Sequence, residues 1–183
     1  MKFTKVIKSY LISLFWSFCE AIFFFIIPDV WLSFTSMDSL KKGFKNIFFT
    51  LIGALLGGTV MYLLGRQDID SVTNFLVKIP DIDYDLLEHT KESIQSEGLA
   101  APLVGPIKRV PYKIYAAYYG GLSLSYIMFM LISIPARLVR FLITILLSNF
   151  VFRVLLKKIS LKKKRQMLIL IWVIIYIIYF NSI

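Results

Sequence analysis

The sequence predicts an all-α integral membrane protein, and three observations carry that class. Apolar runs recur at close to the roughly 20 residues that an α-helix needs to cross a bilayer core, and 58% of the 183 residues are hydrophobic. The mean hydropathy of +0.74 lies outside the range of an ordinary soluble domain. Lysine and arginine exceed aspartate and glutamate by 21 to 11, and they bracket the apolar runs, as membrane topology and anionic headgroups require. They are not gathered on one polar, aromatic-studded module suited to nucleic acid, so no nucleic-acid partner is expected.

The first element covers residues 10–40. Its apolar stretch, from about Val6 to Phe34, is interrupted by Glu20 and by Pro28-Asp29, and Pro28 removes a backbone donor within the run. Two half-helices in a hairpin fit as well as one span. Lys2, Lys5 and Lys8 before it resemble the start of a signal peptide, but no small-residue cleavage pattern follows, so the segment is expected to be retained. Lys41, Lys42 and Lys45 close the element.

Residues 47–64 then form a clean crossing helix. Gly53, Gly57 and Gly58 make a small-residue face that lets another backbone approach closely in lipid, and Gly65 extends it. Between residues 67 and 97 the chain changes character, because eight of its eleven acidic residues fall there. This is read as a water-facing connector. It carries an amphipathic helix from about Tyr84, whose Leu86, Leu87 and Ile94 can rest on the membrane surface.

Residues 98–113 contain an apolar part, Leu99 to Ile107, of about half a span. Pro102, Pro106 and Pro111, with Gly98 and Gly105, break any continuous helix. The segment must dip into the membrane and return, or lie in the interface. Crossing helices are predicted over 114–134 and 138–156, the second approached through Arg137 and Arg140. A basic loop over 157–165 follows, and the last helix covers 167–183.

Few residues offer chemistry. Cys19 is the one cysteine and His89 the one histidine, so neither a disulfide within the chain nor a metal-ligand spacing is available; no cofactor, no metal and no enzymatic activity are expected. Ionisable groups inside apolar segments are expensive, and they mark a pathway or a ligand partner. Glu20 and Asp29 lie in the first broken segment, and Lys108, Arg109 and Lys113 lie in or beside the second. Opposite charges in two interrupted elements suggest one shared site, with carboxylates for proton exchange and cations for an anionic lipid. The plainer alternative is that the cations snorkel to a headgroup layer and Glu20 pairs locally.

The residues also resemble a family. Glu20 followed by Pro28-Asp29-Val30, the box GALLGGTVMYLLGR from Gly53 to Arg66, a polar connector, the block GLAAPLVGPIKRVPYKIYAAYYGG, and then IPARLVRF are similar to the DedA family, also called the SNARE-associated or VTT domain. The likeness covers roughly residues 18–141. It implies two re-entrant hairpins facing each other in an inverted repeat, plus about four transmembrane helices. It further implies translocation of an anionic lipid, either a polyprenyl phosphate or a phospholipid, coupled to protons across a bacterial inner membrane. By position, Glu20 and Asp29 become the acidic pair, and Arg109 with Lys113 the basic pair. A homo-oligomer is compatible with this reading. The rivals are a scaffold that moves nothing and a lipid-phosphate phosphatase. The basic run over 157–165 is expected on the cytoplasmic side.

Overall fold

The computed structural model describes residues 2–105 and 108–181, and among them the chain is helical with no strand. The first apolar run does not continue as one span. Helix α1, Lys2–Glu20, stops where the amides of Ile22, Phe23 and Phe24 all turn back to the Cys19 carbonyl. Pro28 then starts a second short helix, α2, Asp29–Ser36. The turn between them is held by the Trp16 indole, whose Nε1 donates to the Ile26 carbonyl at 2.9 Å.

Helix α3, Leu40–Gln67, is the central post. Its buried stripe includes Gly53, Gly57, Gly58 and Gly65, and two other helices lie against that stripe. A methyl at Gly53 would run into the Leu14 carbonyl of α1, and one at Gly65 into the Ala117 carbonyl of α7, Tyr112–Gly121. Backbone contact this close is how helices associate where lipid supplies no hydrophobic drive. Asn46 adds polar adhesion, accepting from the Ser13 hydroxyl at 2.6 Å and from Ser9 at 3.0 Å.

The acidic connector folds into α4, Ile69–Leu76, and α5, Tyr84–Glu97. Asp68 and Asp83 cap them by accepting from the Ser71 and Leu86 amides. The apolar face of α5 meets protein and not the membrane surface: Leu87 and Ile94 are buried in the main core with Tyr115, Ala116 and Tyr119 of α7. A 3-10 turn, Gly98–Ala100, and a single turn, α6, Ala101–Val104, follow. Pro106 and Ile107 of the broken segment lie outside the described residues.

The sequence places one helix over 114–134 and another over 138–156. In the structure the break lies earlier. Helix α7 stops at Gly121, Ser123 takes a left-handed conformation with φ 54°, and the Ser125 hydroxyl accepts from the Met128 amide to start α8, Tyr126–Asn149. That helix then runs straight through Pro135 and goes on as a π-helical turn, Phe150–Leu155. Pro135 removes one internal hydrogen bond, which a long packed helix tolerates. The left-handed serine and the serine cap make the stronger boundary. Among the described residues, three helices are therefore long and apolar enough to cross a membrane, Leu40–Gln67, Tyr126–Leu155 and Leu161–Asn181, where about four were expected. The last of these, α9, also takes in Leu161 to Arg165, so half of the expected basic loop is helical. The fold is that of a helical membrane protein.

The packing generates a prediction about α3. Gly65→Val should lower thermal stability in detergent by more than the ~1–3 kcal/mol of ordinary overpacking, because the obstacle is a backbone carbonyl. Leu63→Ala, on the exposed side of the same helix, should stay within about 0.5 kcal/mol.

Candidate functional site

The turn between α1 and α2, the start of α7 and the middle of α8 converge on a cavity of about 310 Å³. Helix α9 supplies one more wall through Trp172, Ile175, Tyr176 and Tyr179. The walls are mostly aromatic and aliphatic, and they hold Glu20, Arg109, Lys113, Arg137 and Arg140.

Arg137 and Glu20 form the deepest ion pair. Arg137 Nη2 donates to Glu20 Oε2 at 2.8 Å, with both side chains nearly inaccessible. The guanidinium also lies over the Tyr112 ring, 4.2 Å from its centroid, a geometry in which the aromatic quadrupole attracts the cation. Tyr112 in turn leans on Gly58 and donates to the Ser133 hydroxyl at 3.0 Å. One turn further along α8, Arg140 Nη2 stands 3.0 Å from Asp29 Oδ2, an ion pair without hydrogen-bond alignment, while the other Asp29 oxygen accepts from Thr144. Lys113 Nζ donates to the Phe24 carbonyl at 2.9 Å and ties α7 to the turn between α1 and α2.

These partners leave donors over. Nε and Nη1 of Arg137, and Nε of Arg140, are buried with no hydrogen-bond partner. Arg109 lines the same cavity in a left-handed backbone, φ 59°, and pairs with no carboxylate at contact distance among the described residues. Among the described residues, four cations and one carboxylate, Glu20, line the cavity, with Asp29 behind it on Arg140. Buried guanidinium N–H groups inside apolar walls are built for anion oxygens, which they bind in forked, charge-assisted pairs. Among the described residues no group of three His, Cys, Asp or Glu is arranged to hold a metal ion.

Of the residues singled out from the sequence, Glu20, Arg109 and Lys113 share this cavity. Asp29 stands behind it on Arg140. Lys108 is elsewhere, paired with Glu97 at the end of α5 and reaching Ser93. His89 is exposed on α5 beside Glu92. Sequence reasoning missed Arg137 and Arg140 as the acidic pair's partners. Their signal was present: two arginines three apart lie on one helix face, inside the apolar run ISIPARLVRFLITIL. Reading Pro135 as a boundary turned them into flanking charges.

Three of the hydrogen bonds among the described residues hold α9 over the cavity, beside the packing of Leu168 against Met37 and Phe152. Trp172 Nε1 donates to Ser33 at 2.9 Å, the Ile27 amide donates to the Tyr176 hydroxyl at 3.0 Å, and the Tyr179 hydroxyl donates to the Asp81 carboxylate. Asp81 lies in the connector. Partial burial and the neighbouring Asp83 push its carboxyl above the usual range, against the pull of Arg109.

In sequence comparison, the chain is similar to an uncharacterized protein of Haemophilus influenzae, 30% identical over 130 residues. The match takes in 69% of this chain and spans 65% of that protein's length. No family model and no solved structure matches.

Two measurements check the geometry. In a double-mutant cycle, Glu20→Gln and Arg137→Gln should each lower stability by about 3–5 kcal/mol, since each strands a buried charge. Combined, they should fall short of additivity by roughly 0.5–3 kcal/mol, whereas Glu20→Gln with Arg109→Gln should simply add. Asp81 generates a pH dependence. Its raised pKa means the folded chain keeps the proton longer than the unfolded chain, so stability falls as pH rises through the interval just above the ordinary 3.8. Asp81→Asn should flatten that slope in thermal melts taken across the interval.

Proposed function

We propose that the chain is a membrane lipid transporter of the DedA type that moves an anionic lipid, a polyprenyl phosphate or a phospholipid, across a bacterial inner membrane. The observation that carries this reading is the set of buried, unpartnered guanidinium donors on Arg137 and Arg140, two residues that line an apolar cavity. A permanent structural charge would be satisfied by fixed partners. Donors left over inside a fold call for a visiting anion, and a phosphate headgroup has the oxygens and the charge.

The reading takes α1–α2 and the segment ending in α7 as two re-entrant hairpins of an inverted repeat, meeting at the cavity. Broken helices that put charged side chains and free backbone at mid-membrane are the usual site architecture of secondary transporters. The Lys113 contact with Phe24 is the point where the two meet. In this mechanism the phosphate takes the free Nε and Nη1 positions of Arg137 and competes with Glu20 for the guanidinium. Glu20, losing its counter-charge, takes a proton from hydronium on one side of the membrane, and the headgroup moves with that proton. Return of the proton to the other side restores the Glu20–Arg137 pair and expels the anion. Arg109, at the connector side, receives or releases the headgroup.

Flux of labelled phosphatidic acid in proteoliposomes tests the reading. Arg109→Ala removes a ligand cation without breaking an ion pair, so it should cut flux roughly tenfold or more, in proportion to a lost charge-assisted hydrogen bond of ~1.5–3 kcal/mol, with unchanged melting. Glu20→Gln should abolish the response of flux to a pH gradient. Full flux in Arg109→Ala would overturn the site, release of inorganic phosphate would make the chain an enzyme, and no flux in the wild-type protein would leave a scaffold.

A further inference from the structure

A second concavity adjoins the cavity on its lipid side. It is a groove of about 620 Å³ between the first hairpin and α9, walled by Trp16, Val30 and Phe34 on one side and by Ile169, Val173 and Ile177 on the other. No charged side chain lines it. Phe25, Trp172 and Tyr176 belong to both concavities. Three aromatic rings are thus shared by two adjoining concavities of different chemistry, guanidinium and lysine on one side and, Asn181 apart, apolar walls on the other.

We propose that the groove seats one hydrocarbon chain of the same lipid whose anionic headgroup occupies the cavity, so that the ligand enters laterally between the first hairpin and α9. This rests on the reading of the cavity as a headgroup site. The occupant follows from the shared walls. A soluble phosphate would fill the cavity and leave the groove without a role, and a peptide would meet no charged group in the groove to read it. An amphiphile with an anionic head and an apolar tail matches both halves at once.

The groove's contribution is direction more than affinity. A tail moving from bilayer to groove leaves one apolar surface for another and gains little by burial. What it gains is a fixed approach, because the tail stays on the lipid side while the head reaches Arg137 and Arg140, which converts a search into a positioned encounter. The lateral wall is suited to this. Trp172 and Tyr176 line both concavities and also make two of the three bonds that attach α9, to Ser33 and to the Ile27 amide. A tail threading past them lies beside the contacts that hold the helix on.

The test uses the full-length protein in phosphatidylcholine vesicles containing a phosphatidic acid with a diazirine at mid-chain, with labelled peptides mapped by mass spectrometry. Label should concentrate several-fold on residues 16–34 and 169–180 over the exposed faces of α8 around Val139 and Ile143. It should fall when water-soluble dihexanoyl phosphatidic acid is added, and it should not appear with a diazirine phosphatidylcholine. Val173→Trp, which fills the groove, should remove the label while calorimetric binding of dihexanoyl phosphatidic acid is unchanged. Ile171→Trp, on the far side of α9, should leave both intact. If the short-chain lipid binds and the long-chain label is spread evenly around α9, the groove is overturned and the cavity stands. If the short-chain lipid neither binds nor competes, the headgroup site itself is overturned.

Discussion

A guanidinium cannot be left bare in a hydrocarbon layer, and the contact between Arg137 and Glu20 is the constraint around which the rest of this molecule is arranged. Arg137 lies near the middle of a 30-residue apolar helix, where an unpaired charge is costly. Its partner must come from another element that stops at the same depth. Helix α1 does so, ending on Glu20 and turning, because Pro28 and the stacked amides on Cys19 end one helix before the next begins. The broken first run and the charged crossing Tyr126–Leu155 are thus two sides of one requirement. Asp29 and Arg140 repeat it one turn further along.

The meeting of these elements depends on closeness, and closeness depends on glycine. Helix α7 is short and nearly all buried, with Tyr112 through Gly120 inaccessible. It reaches α3 because Gly65 and Gly120 let two backbones touch, each against a carbonyl of the other helix. That contact fixes Tyr112 under the Arg137 guanidinium and brings Lys113 to the Phe24 carbonyl. A bulkier residue on α3 would therefore act on the cavity at a distance, through the position of α7.

Much of this was legible in the chain before any coordinates. The helical membrane class followed from run length and charge bracketing, and the interruption at Glu20 and Pro28 marked the break between α1 and α2. Depth in the fold was not legible for charges beside a proline. Pro135 reads as a boundary because it lacks an amide, yet the boundary is set by Ser123 and Ser125, whose backbone angle and side-chain cap have no strong signature in an apolar context. Moving that one break from 134–137 to 122–125 changes Arg137 and Arg140 from flanking residues into central ones. Lys108 failed in the opposite direction. It sits in the right motif, but its side chain is drawn outward to Glu97, eleven residues back on α5, and proximity in sequence to Arg109 says nothing of that.

The surplus of donors over acceptors separates this cavity from a structural ion-pair network. Glu20 engages one nitrogen of Arg137, and Asp29 stands beside one nitrogen of Arg140 at poor alignment. If both arginines served packing alone, forked pairing of each with its carboxylate would satisfy more donors with the same residues. The arrangement instead leaves buried nitrogens of both side chains without partners, on two residues that line the same cavity as Arg109, and a largely apolar groove shares Trp172 and Tyr176 with that cavity. On the proposed reading, a carboxylate that holds its arginine by one contact is one that an incoming anion can displace, beside a helix held by side-chain hydrogen bonds and by the packing of Leu168 against Met37 and Phe152. Incomplete pairing in the cavity and the position of α9 over it are therefore linked on the proposed reading: each would lower the stability of the resting arrangement slightly, and together they would give an amphiphile a way in and something to bind.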